Sequence, residues 1–166
     1  MASATFERFR FSFFEDIDSA RSGLDLEALQ SLVCEERVRA EEMLFNYLPD
    51  MRGVIGLGEL HSKRAETAIA KLLEAEEGSE FKYAIPFLAK ALWQIRPDPS
   101  WLKAVLQVLV PAGRENDRRH AAEALKAFHD PAAVSALIKA LDDPAGLMRH
   151  HAARSLLAIH GLGRLD

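Results

Sequence analysis

Two stretches of this chain, RRHAAEALKAF (118–128) and RHHAARSLLAI (149–159), carry one pattern 31 residues apart: an Arg, then His-Ala-Ala, then Leu and Ala at matching places. A repeat of about 20–50 residues constrains the fold more than any other feature, because such units cannot bury their apolar faces alone and must stack. From residue 24 onward apolar residues recur at helical spacing, with almost no strand-like alternation, so the chain reads as all-α. The clearest unit opens at Asp130-Pro131, a capping residue followed by a proline at the first helical position. Val134, Leu137, Ile138 and Leu141 are expected on its buried face. After DDPAG comes a second helix, with Met148, Ala152, Leu156 and Ile159 on one face before Gly161 stops it.

Shifting back by about 32 residues finds the same plan again. Asp98-Pro99 opens a helix carrying Leu102, Val105, Leu106 and Leu109, and Arg118 to Phe128 is its partner. Earlier copies pair Ile69, Leu72 and Leu73 with Ile85, Leu88, Leu92 and Ile95, and Met43, Leu44 and Leu48 with Val54, Leu57 and Leu60. The expected pairs are 36–62, 64–96, 98–129 and 131–161, within a solenoid over 35–166. Residues 1–34 differ: Phe6, Phe9, Phe11, Phe13 and Phe14 are five of the nine phenylalanines. This segment is expected to be an N-terminal cap over the first repeat, the alternative being an exposed aromatic partner-binding segment. Only LGRLD follows Gly161, too little to cover a helix pair, so Leu157, Leu162 and Leu165 are expected to offer a self-association or partner face.

Composition excludes several classes. With 166 residues, 49% hydrophobic and 28% charged, the chain can bury one sizeable core and is not disordered. Its apolar runs, such as Val108 to Ala112, fall far short of the roughly 20 residues of a membrane span, and MASATFERFRFSFFED lacks the features of a secretory signal. A cytoplasmic location is the default expectation. Cys34, the single cysteine, reads as a small core residue. Net charge is -4 but uneven: residues 1–80 hold 17 acids against 9 bases, and 81–166 hold 8 against 12. The second half therefore suits an acidic partner.

The stretch DPAAVSALIKALDDPAGLMRHHAARSLLAIHG, from Asp130 to Gly161, resembles the bacterial HEAT-like repeat first grouped around the phycobilin lyases. Its marks are a Pro-started helix ending in Leu-x-Asp, a turn with Pro, and an Arg followed by Ala-Ala on an apolar second helix. The resemblance implies a right-handed α-solenoid of about four to five antiparallel helix pairs, and almost nothing about function. It also implies a ladder between the Asp ending a first helix and the Arg opening the second, which Asp143 and Arg149 would form. Arg118 lacks that partner in its own unit, where the sequence is LVPAG, and so is expected to bridge to Asp142 or Asp143 or to bind a ligand.

Enzyme readings find little support. Deoxyhypusine hydroxylase, also built from HEAT-like repeats, holds two iron ions with His-Glu dipeptides, but His120 and His151 are each followed by Ala. His150 and His151 diverge by about 100° on a helix and cannot readily share a zinc ion with His120. No nucleophile elbow occurs, and GLGEL (56–60) lies inside a helical pattern, where its glycines serve close packing rather than phosphate. No cofactor, metal or catalytic residue is expected, and a phycobilin-lyase-like subunit stays only as an alternative.

In solenoids of this kind the second helices line the concave side. With Ala121, Leu125, Ala152 and Leu156 inward, the exposed stripe is expected to be Arg119, Glu123 and Lys126, then His150, Arg154 and Leu157. Counting back gives Pro86, Lys90 and Trp93, then Val54, Gly58 and His61. Trp93 is either an interface anchor or a core residue at the seam of a pair; Trp101 is expected in the core or on the convex side. The partner-binding set is thus Lys90, Trp93, Arg118, Arg119, Glu123, Lys126, His150 and Arg154. The expected function is a non-catalytic solenoid that clamps an acidic protein, in the manner of an immunity or antitoxin protein covering a toxin. The alternative is nucleic-acid binding similar to the alkylpurine DNA glycosylases, with Arg114, Arg118, Arg119, Lys126 and Arg154 on phosphates.

Overall fold

The structure, a computed structural model, describes residues 2–14, 24–80 and 82–162. Among these there are ten α-helices and no strand: α1 (Ala4–Phe14), α2 (Leu26–Ser31), α3 (Cys34–Asn46), α4 (Met51–Glu59), α5 (Glu66–Glu77), α6 (Ile85–Ile95), α7 (Pro99–Val108), α8 (Glu115–Leu125), α9 (Pro131–Ala140) and α10 (Gly146–Ile159). A 3-10 turn, Lys63–Ala65, leads into α5. Helices α3/α4, α5/α6, α7/α8 and α9/α10 pack as neighbouring pairs, and α4 on α6, α6 on α8 and α8 on α10 join one pair to the next. The chain is an α-solenoid, with its second helices forming a continuous inner layer.

Local chemistry places the starts. Asp50, Asp98 and Asp130 accept hydrogen bonds from the backbone N–H two residues on, at 2.8, 2.9 and 2.7 Å, and Pro99 and Pro131 fill the first helical turn after the latter two. Stacking then buries Leu57, Ile69, Leu88, Leu92, Val105, Leu125, Leu137 and Met148 in one core. The α4–α6 seam is close: a Cβ on Gly58 would lie 2.8 Å from the Ala91 Cα and 2.9 Å from its Cβ. A Cβ on Gly56 would meet both Leu44 methyls, at 2.7 and 2.8 Å.

At the start of the described chain, α1 buries Phe6, Phe9 and Phe13 and leaves Phe11 exposed. Arg39 lies 4.7 Å over the Phe6 ring, Tyr47 meets Phe13 edge-on, and Ser3 binds the Glu36 carboxylate. Arg8 reaches Asp25 at 2.9 Å and ties α1 to the start of α2. The side chain of Phe14 lies outside the described residues, as does Leu165.

Several expectations need correction. Cys34 is exposed rather than in the core, and with φ +48° it is a non-glycine residue in the left-handed region at the first position of α3. Ile138 and Leu141, expected on a buried face, are 54% and 37% exposed, because no helix pair among the described residues packs on that side of α9. Val54, Gly58 and Pro86, expected in the exposed stripe, are buried. The ladder pairing also differs. The Asp143 carboxylate accepts from the buried Arg118 of the preceding unit, whereas Arg149 donates to the carbonyls of Asp143 and Pro144 at 2.7 and 3.0 Å.

Candidate functional site

Along the inner layer the exposed stripe is built from one polar cluster, an aromatic step and a cleft. Glu59 of α4 holds the first cluster: Lys90 Nζ donates at 3.1 Å, Gln94 Nε2 at 2.9 Å, and Gln30 Nε2 to its other oxygen at 2.8 Å. Burial alone would raise the Glu59 carboxyl, but the bond from Gln94 and the charge and bond of Lys90 outweigh it and hold it below the usual range. Lys90 is therefore committed to an internal network. Phe87 packs tilted against His120 at 5.0 Å and Trp93 tilted against Phe128 at 4.9 Å, which carries the surface from α6 to α8. Trp93 is half-buried in that seam; Trp101 is also half-buried, its indole N–H without a partner.

Beyond this step, α8 and α10 enclose a cleft of about 340 Å³ lined by Glu123, Lys126, His151, Arg154, Ser155, Leu157, Ala158 and Leu162. The spacing explains it: His151, Arg154, Ser155 and Ala158 follow i, i+3, i+4, i+7 on α10, opposite Glu123 and Lys126, one turn of α8. Glu123 accepts from Lys126 at 3.3 Å. Its burial pushes the carboxyl up, yet Lys126 with the nearby His151 and Arg154 holds it below the ordinary value. His151 is shifted down, first by burial and then by the Arg119 charge, against the opposing pull of Glu123; His120 is lowered by the same two causes. Both imidazoles are accordingly biased toward the neutral form. Arg119 itself is half-buried, with its Nε buried and unpartnered.

Of the eight residues expected to meet a partner, the structure brings Glu123, Lys126 and Arg154 together in this cleft and places Arg119 within electrostatic reach of its His151. His150 is exposed beside it, its ring edge-on to His151 at 6.0 Å. Arg118 is elsewhere: it is buried against Asp143 and acts as a rung between units. Lys90 and Trp93 lie farther along the inner layer. Sequence reasoning missed His151 and Ser155 as lining residues; the signal was their i−3 and i+1 offset from Arg154. Among the described residues no group of three or more His, Cys, Asp or Glu side chains is disposed to hold a metal ion, and no helix is long and apolar enough to cross a membrane.

Residues 102–164, which span α7 to α10 and so both walls of the cleft, match the family model described as HEAT repeats. No curated protein matches the chain.

Proposed function

We propose that this HEAT-like repeat protein is a non-catalytic interaction module that grips a partner protein along its inner layer, with the α8–α10 cleft as the principal contact. HEAT repeats commonly serve as protein-interaction scaffolds, and the family is generally non-enzymatic. The observation that carries the reading is the cleft itself: concave, walled by cations and aliphatic side chains, and set on the layer that stacked repeats present to a ligand. Lys126 and Arg154 outnumber Glu123 there, with Arg119 near its His151, which favours an acidic partner. Occlusion of such a partner's working surface, as an immunity or antitoxin protein does, is the specific role we assign, in the cytoplasm. Residues 1–34 act as the cap of the array, and Leu157 and Leu162 belong to the partner face.

The test is capture of partners from native cells with the wild-type chain and with Arg119→Glu/Arg154→Glu. Loss of one acidic protein in the double variant is the expected result, and equal recovery by both forms removes the inner layer from the proposal. The nucleic-acid reading is weakened by burial of Arg118 and by the pairing of Arg114 with Glu80 at 2.8 Å and of Lys126 with Glu123. DNA binding that falls steeply between about 50 and 200 mM salt would restore it.

A further inference from the structure

The cleft specifies more than a charge sign. Its walls hold two cations, Lys126 and Arg154, and one carboxylate, Glu123, with the Arg119 guanidinium close to His151 behind them. Ser155 lines it while only 3% exposed, and its hydroxyl makes no hydrogen bond among the described residues. The buried Arg119 Nε is likewise unpartnered. The cleft wall is thus rich in hydrogen-bond donors, Lys126, Arg154 and the Ser155 hydroxyl, which points to a ligand that accepts hydrogen bonds. The opposite wall is aliphatic: Leu157, Ala158 and Leu162.

We infer that the cleft is a carboxylate site, which takes an acidic side chain of the partner on Arg154, Lys126 and Ser155 and an aliphatic neighbour of that side chain on Leu157, Ala158 and Leu162. The inference rests on the protein-binding reading above and names the group that reading leaves open. A carboxylate suits the site better than a phosphate. Arg154 can bind either group with two parallel bonds, so the charge of the ligand decides. A single negative charge uses the cation excess, whereas the second charge of a phosphate dianion falls near Glu123. For charges about 4 Å apart in water that repulsion is worth about fivefold in affinity, and less at greater separation.

The test uses the full chain and small probes at pH 7.5 and constant ionic strength: isovalerate, acetate and inorganic phosphate, each followed by NMR at the His151 ring and the Ser155 and Ala158 amides. Isovalerate is expected to saturate these signals with a midpoint on the order of 10 mM. Acetate, which lacks the branched tail, should bind more weakly, and phosphate should bind more weakly than isovalerate. Arg154→Gln, an exposed position whose folding is checked by circular dichroism, should weaken isovalerate about tenfold. Glu123→Gln should raise phosphate to the level of isovalerate or above it. No saturation, perturbation elsewhere on the surface, phosphate ahead of isovalerate in the wild type, or indifference to Arg154→Gln would each overturn the assignment. If isovalerate fails to bind but partner capture still depends on Arg119 and Arg154, the carboxylate site falls and the interaction module stands. If isovalerate binds as expected and capture ignores the charge reversal, the module falls and the site remains.

Discussion

At one side of the stack α1 turns Phe6, Phe9 and Phe13 into the core and shows Glu7 and Arg8 to solvent; at the other, α9 and α10 leave Ile138, Leu141, Leu147 and Leu157 in solvent. Both regions carry apolar stripes of helical period, and only one stripe is covered. The difference teaches that in a repeat array burial is decided by the neighbour, not by the helix that bears the residue. A leucine such as Leu106 of α7 is half-buried because the next pair lies beside it. Its counterpart Ile138, 32 residues on, has the same pattern and no such neighbour among the described residues.

The sharpest way to break this contrast is Phe9→Ala. Phe9 is wholly buried, and its truncation should cost about 3–5 kcal/mol in urea unfolding, making the first region as exposed as the last. If the loss is below about 1 kcal/mol, the aromatic stripe does not hold α1 in place. Next, Asp143→Ala removes the acceptor of the buried Arg118 and the bond to the Ala145 N–H at 2.9 Å, and should cost about 3 kcal/mol. Its effect should be strongest in α9 and α10, read as amide exchange that quickens there before it does in α4 to α6. Within the covered half, Gly58→Ala forces a methyl against the Ala91 backbone and should cost about 1–3 kcal/mol, while Gly78→Ala, with only a carbonyl 4.0 Å away, should be neutral within about 0.5 kcal/mol.

Much of this was legible. Asp98-Pro99 and Asp130-Pro131 announce their helices because capping is a local reaction between a side chain and the next two N–H groups. The inner stripe was misplaced at one position of α6: Pro86 turns inward and Phe87 takes its place beside His120. One residue is about 100° on a helix, and the connections between pairs differ in length, so a fixed shift from a clear unit to a faint one loses the face. Cys34 misled for another reason. Its place in LEALQSLVCEE suggested a small core residue, but the chain breaks at Leu32 and Val33 and restarts through a left-handed residue. The pairing of Arg118 with Asp143 was one of two partners that charge and spacing permitted, and only the stacking geometry chose.

Two smaller effects complete the comparison. His120 and His151, both in the later half, titrate below the ordinary histidine value in the folded chain, so the unfolded chain binds more protons between the two values. Their contribution is complete above about pH 6.5 and is lost as pH falls through the folded values. Urea midpoints should therefore decline below pH 6.5, less so in His120→Gln, and an unchanged slope in that variant would clear His120 of the effect. Least of all, Ile138→Ser should shift stability by no more than about 0.5 kcal/mol in dilute protein, because its side chain is already in water. A loss as large as that of Phe9→Ala would mean that the face is covered in solution, and sedimentation would show by what.

The unequal coverage has a consequence for how the cleft works. Among the described residues helix α10 packs chiefly on α8 and α9, and in a stack whose stability is local plus nearest-neighbour, an element held on one side opens at lower free energy than one held on both. Yet α10 supplies His151, Arg154 and Ser155, so the cleft exists only while this helix is closed. Whatever bridges Lys126 to Arg154 then stabilises the closed form by RT ln(1 + [L]/Kd). The occupant serves as a clasp, and amide exchange in α10 is where its arrival will be felt first.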